Sequence, residues 1–128
     1  MTVMGANRVK KYKERMGISQ FRLETEECIW TVTELLTAQD LLNEGRKMKN
    51  CVASYAHNCA LGDSAIFSVE CLYPISHAID KIATLEVRPS NRGLIQAKGK
   101  CNGAASPKTM KVITQWAQAN RIKVGLLV

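Results

Sequence analysis

The stretch Ile82-Ala83-Thr84-Leu85-Glu86-Val87-Arg88-Pro89-Ser90-Asn91-Arg92-Gly93-Leu94-Ile95-Gln96-Ala97-Lys98-Gly99-Lys100 holds two alternating runs around a cluster of turn formers. Pro89 to Gly93 supplies the turn, so Ile82–Val87 and Leu94–Lys100 are predicted to pair as an antiparallel hairpin. Register follows from the apolar pattern. Placing Ala83, Leu85 and Val87 on one face with Ile95, Ala97 and Gly99 sets Glu86 opposite Gln96 and Thr84 opposite Lys98. A slip of one residue would mix apolar and polar side chains on both faces. Ala65–Cys71 is a third strand candidate, rich in residues that suit a sheet.

Helical patterns flank this hairpin. Thr37 with Asp40 three positions on has the form of an N-cap, and Leu41, Leu42, Gly45, Met48, Val52 and Tyr55 follow at steps of three and four. That stripe is either one helix bent near Gly45 or two helices with a break around Lys49 and Asn50, and Gly62 supplies a stop. Ser106-Pro107 opens a further helix whose face carries Met110, Ile113, Trp116 and Ala117 and which ends near Asn120. Asn7–Met16 reads as a short basic helix or arm stopped at Gly17, Phe21–Val32 as an edge strand or extended lead-in, and Arg121–Val128 as a closing strand. The expected fold class is α+β: an antiparallel sheet of about three to five strands with about three helices packed mainly on one face. Residues 1–128 are expected to form one domain that includes a basic N-terminal arm or helix over about residues 1–20.

Composition narrows the function classes. The chain has 128 residues, 46% hydrophobic and 23% charged, and no apolar run approaches the ~20 residues of a membrane span. The basic start lacks the apolar stretch of a secretory signal, so a cytoplasmic protein that does not engage membranes is expected. Cys28, Cys51, Cys59, Cys71 and Cys101 are odd in number and lack CxxC pairs, which fits reduced thiols. With His57 and His77 as the only histidines, and with a Cys51, His57, Cys59 spacing that matches no established zinc motif, no metal is expected. No GxGxxG or GxxxxGK[ST] motif occurs, so no nucleotide cofactor is expected.

The net charge is +7, and its placement is uneven. Met1–Arg22 is basic, Leu23–Glu44 carries only acids, and basic residues return afterwards. Lys10, Lys11 and Lys13 of the arm, with Arg88, Arg92, Lys98 and Lys100 of the hairpin, can present a positive face to phosphates. Lys98-Gly99-Lys100 followed by Asn102 and Gly103 is a further candidate anion grip. The plain alternative is a solvated surface that keeps a small protein soluble.

Glu44 to Tyr55 (EGRKMKNCVASY), together with Cys59, Gly62, Ile66-Phe67-Ser68-Val69, Thr84-Leu85-Glu86-Val87 and Gln96 to Asn102, resembles the PcfJ-like family over roughly residues 37–116. The resemblance implies a plasmid- or phage-borne accessory protein and brings no established reaction. Family members are often longer ahead of this region, and the position before the cysteine is often His where this chain has Asn50. A His-assisted thiolate is therefore not implied here.

Physically, Cys51, Tyr55 and Cys59 at i, i+4, i+8 would share one helical face. Packed on the polar side of the hairpin, that face would bring Cys51 and Tyr55 to Thr84, Glu86, Gln96 and Lys98, with Asn102 at the strand end. A thiol, a phenol, a carboxylate and an amide so gathered make Cys51, Tyr55, Glu86 and Gln96 the candidate catalytic set. The competing reading makes Cys51 and Cys59 small core residues, ties Tyr55 to a buried carboxylate and pairs Glu86 with Lys98 across the sheet. Three functions follow. The first is a mobile-element accessory protein binding nucleic acid or a nucleoprotein complex through its basic face, in one version inhibiting a host defence complex. The others are a small enzyme using the four-residue set and a non-catalytic scaffolding domain.

Overall fold

The structure, a computed structural model, describes residue 18 and residues 20–124. The proposed helix over 7–16, with Lys10, Lys11 and Lys13, lies outside the described residues.

Five strands form one antiparallel sheet in sequence order: β1 (Phe21–Glu24), β2 (Ile29–Glu34), β3 (Ala65–Leu72), β4 (Ile79–Arg88) and β5 (Gly93–Lys98). Phe21–Val32 is thus two paired strands rather than one, because Thr25 closes a turn between them: its amide and its hydroxyl both donate to the Cys28 carbonyl at 2.9 Å. Helix α1 (Ala38–Met48), a 3-10 turn (Val52–Tyr55) and α2 (Ala56–Leu61) sit between β2 and β3, and α3 (Pro107–Ala119) follows β5.

The expected caps form as drawn. Thr37 Oγ1 accepts the Asp40 amide at 2.9 Å, and Ser106 Oγ accepts the Thr109 amide at 3.1 Å with Pro107 in the first turn. Of the two possibilities for the stripe after Thr37, the break is the one realised: Lys49 caps α1 with φ 55°, and Gly62 ends α2 with φ 83°. Gly45 is a close-approach residue, since a Cβ there would stand 3.2 Å from the Asn50 carbonyl oxygen, in the loop whose Asn50 amide bonds back to the Gly45 carbonyl.

The sheet is covered on both faces. Phe67, Val69, Leu85, Val87 and Leu94 point to the side where α3 lays Val112, Ile113, Trp116 and Ala117, and Phe67 meets Trp116 edge-on at 5.0 Å between ring centroids. The opposite face carries α1 and α2 over a smaller cluster of Leu41, Val52, Cys59 and Ile66. Two of the three helices therefore share one face, and the third seals the larger core. Of the expected closing strand only Lys123 pairs, by a single parallel bridge to Gly93, and residues 125–128 lie outside the described residues.

The hairpin register holds where it matters for chemistry and slips at one place. Thr84 faces Lys98 and Glu86 faces Gln96, but Val87 then faces Leu94, leaving Ile95 as an extra residue. Leu94, not Ile95, enters the core as a result. A second bulge leaves Ile82 unpaired between β3 and β4, where Val69 faces Ala83 and Glu70 faces Lys81. Strict alternation from Thr84 would aim Lys81 at the α3 side; the bulge turns it to the α1 side. No helix among the described residues is long and apolar enough to cross a membrane.

Candidate functional site

The linker between α1 and α2 lies over the polar side of the β4–β5 hairpin and encloses a cavity of about 250 Å³. Cys51 and Tyr55 contribute from the linker and Glu86 and Gln96 from the hairpin, so all four members of the proposed catalytic set line it. Lys98 and Asn102 join them. The route differs from the expected one, because Cys51, Tyr55 and Cys59 do not share a continuous helical face. Cys51 precedes the 3-10 turn and is exposed, Tyr55 ends that turn, and Cys59 is buried under α2. Burial, followed by the charges of Glu34 and Glu86, pushes the Cys59 thiol up to about 11, consistent with a core residue.

Glu86 sits at the back of the cavity, 9% exposed. Ser64 Oγ donates to its Oε2 at 3.0 Å. Burial first, then the neighbouring Glu86 carboxylate, raise the Tyr55 pKa above 10.0. Tyr55 lines the same cavity as the buried Glu86 carboxylate; the predicted Glu86–Lys98 pairing is absent, since Lys98 stands across from Thr84.

Asn50 shapes the opposite wall. Its Oδ1 accepts the Val52 amide at 3.0 Å, capping the 3-10 turn, and its Nδ2 donates to Thr84 Oγ1 at 3.2 Å. Thr84 in turn donates to Glu44 Oε2 at 2.6 Å. Glu44 is fully buried on α1, and its Oε1 accepts from Ser68 and from Lys81 Nζ, each at 2.8 Å. Lys81 also reaches Glu70 at 2.7 Å. Burial works to lower the Lys81 pKa, but the hydrogen bonds and charges of Glu44 and Glu70 outweigh it and raise the pKa. The sequence reading gave Glu44, Ser68 and Lys81 no role. The available signal was a carboxylate one turn after Leu41 and one turn before Met48, inside an apolar stripe.

The other proposed phosphate contacts disperse. Arg92 donates to the carbonyls of Asn120 and Arg121 and so caps α3, while Arg88 is exposed at the end of β4. Lys100 lies 3.6 Å from Asp80 beside a neighbouring cavity shared with Lys47 and Glu70. Between the cavities, Cys101 (φ 59°) and Asn102 (φ 61°) both take left-handed backbone, and the Gly103 amide closes the turn on the Lys100 carbonyl at 3.0 Å. This strained turn is what carries Asn102 to the pocket. No group of three or more His, Cys, Asp or Glu side chains suited to a metal occurs among the described residues.

Fold and site define an α+β protein with a single meander sheet and a polar pocket between its hairpin and a helical linker. The chain belongs to the PcfJ-like family: that family's model, described as PcfJ-like protein, matches residues 3–114. The match begins well before the region that carries the resemblance in sequence. No curated protein and no solved structure matches the chain.

Proposed function

We propose that this chain binds nucleic acid, taking one nucleotide unit into the pocket between the hairpin and the linker. The observation that carries this reading is the polarity of that pocket. Lys98, flanked by Asn50 and Asn102, stands at one end and the Glu86–Gln96 pair at the other, two residues along the same strands. Two residues of strand span about 7 Å, a separation suited to a phosphate at one end and a base edge at the other. At about 250 Å³ the cavity falls below the ~300–1,000 Å³ of drug-sized sites, so it suits a single unit of a longer ligand. The +7 net charge supplies the long-range attraction to phosphates. In this reading the protein is a cytoplasmic accessory of a plasmid or phage, acting on nucleic acid directly or occupying the nucleic-acid path of a host defence complex.

Mobility shift of a single-stranded oligonucleotide at low and at raised salt tests the proposal. Binding should weaken steeply with salt, and Lys98→Ala should weaken it at low salt. Absence of binding at low salt, or binding indifferent to salt, would remove it.

A second reading, a small enzyme, is favoured by one feature: the exposed Cys51 thiol shares the pocket with the Tyr55–Glu86 pair. A covalent adduct on Cys51, found by mass spectrometry after incubation with nucleic acid, would put it first. Wild-type binding by Cys51→Ser with no such adduct would set it aside.

A further inference from the structure

Two hydroxyl hydrogens beside the pocket are already committed. A hydroxyl has one hydrogen to give. Ser64 gives its own to Glu86, and Thr84 gives its own to Glu44. Thr84 and Glu86 therefore offer the cavity lone pairs, and a carboxylate has room for more donors than Ser64 supplies. The wall around Glu86 is an acceptor surface, and its complement is an edge made of adjacent donors.

Among the nucleobases, the Watson–Crick edge of guanine alone places two donors side by side, a ring N–H and an amino group. Adenine and cytosine set a ring acceptor beside their amino group, which would meet the carboxylate with like polarity. Uracil and thymine hold one N–H between two carbonyls. Gln96, directly across from Glu86 and exposed, can give an amide hydrogen to the guanine carbonyl next to those donors. Lys98 lies two residues along the same strand, where a phosphate would fall. Because this contact consumes the pairing edge, the base must be unpaired.

Resting on the nucleic-acid reading above, we infer that the pocket is selective for a guanine nucleotide of an unpaired strand, with its pairing edge on Glu86 and Gln96 and its phosphate on Lys98.

The test is fluorescence anisotropy of the full chain with short labelled thymidine oligonucleotides that carry one central guanine, adenine or cytosine. One well-made two-point base contact discriminates by about tenfold or more, so the guanine probe should bind tighter than the others by at least that factor. GMP displacing it as well as the unlabelled strand does would make the free nucleotide the ligand; GMP competing only weakly would make it the strand. Either result supports a guanine pocket. Equal, salt-sensitive affinity for every probe would overturn the inference and leave the nucleic-acid reading standing. No binding of any probe would end both. Glu86→Gln should erase the preference, and since it also touches Ser64 and Tyr55, Gln96→Ala serves as the second variant. Gln96 is exposed, so its removal should leave the melting temperature unchanged while reducing the guanine preference severalfold. A preference intact in both variants would refute the assignment.

Discussion

Replacing Glu44 by Gln keeps the side chain's shape and removes its charge, and this isolates the network under the pocket. In the wild type, Oε1 accepts from Ser68 and Lys81 and Oε2 accepts from Thr84, all within 2.8 Å. An amide nitrogen at either position meets a donor. Facing Lys81, it repels the ammonium and leaves Glu70 as its remaining carboxylate. Facing Thr84, it forces the hydroxyl to accept, in competition with the Asn50 amide that it now accepts from. Breaking a fully buried ion pair costs about 3–5 kcal/mol. Lys81 is 20% exposed, so water can recover part of that for the lysine, and a loss of about 2–4 kcal/mol is expected. For a chain of 128 residues this lowers the melting temperature by on the order of 10 °C. The comparison variant is Glu70→Gln, which touches the same lysine from a position 28% exposed and should cost less than about 1 kcal/mol. Circular dichroism melts and urea titrations of both variants measure the difference. If Glu44→Gln lost no more than Glu70→Gln, Glu44 would not be the anchor described here.

Three other outcomes are expected. Because the folded pKa of Lys81 is raised above 10.5, the stability it supplies is present below that pH and is lost as pH climbs through the folded value; the urea midpoint should fall more steeply above pH 10.5 in the wild type than in Lys81→Met. Gly45→Ala should destabilise although alanine favours helix by about 1 kcal/mol, since the new methyl stands 3.2 Å from the Asn50 carbonyl; a rise in melting temperature would show that the loop yields freely. With Ellman's reagent and no reductant, Cys51 and Cys101 should react in the native state and Cys28, Cys59 and Cys71 only after unfolding, while fewer than five thiols in the unfolded chain would reveal a disulfide.

What the sequence disclosed was local or periodic. Thr37 and Ser106 announce their helices through chemistry confined to one turn, whereas the apolar stripe from Leu41 to Tyr55 keeps its phase across Lys49 and left a bent helix and a break equally open. The pocket was legible because a single register places Thr84, Glu86, Gln96 and Lys98 on one face of the hairpin. Irregularity hid the rest. Nothing in the composition of Ile82 or Ile95 marks a bulge, yet the first decides that Lys81 meets Glu44 and the second that Leu94 enters the core. The Glu44–Thr84 bond joins residues forty apart, a distance across which periodicity carries no information. Lys98 and Lys100 show the same limit: two positions apart in a basic motif, they end beside different cavities because the strand stops at Lys98 and Lys100 opens the turn that follows.

The two faces of the sheet divide the work. On the α3 side, Trp116, Phe67, Leu85, Ile113 and Leu94 are essentially sealed from water and supply the apolar burial that holds the fold. On the α1 side, Glu44 and Glu86 take up buried positions that apolar residues of similar volume would fill at equal or lower free energy. Stability alone does not account for two carboxylates there in a chain of net charge +7. Their common geometry does: each fixes the hydroxyl hydrogens beside it, Glu44 through Thr84 and Ser68, Glu86 through Ser64. Thr84 thereby keeps one polarity toward the cavity, as a selective polar site requires, because a hydroxyl left free to turn would meet donors and acceptors alike.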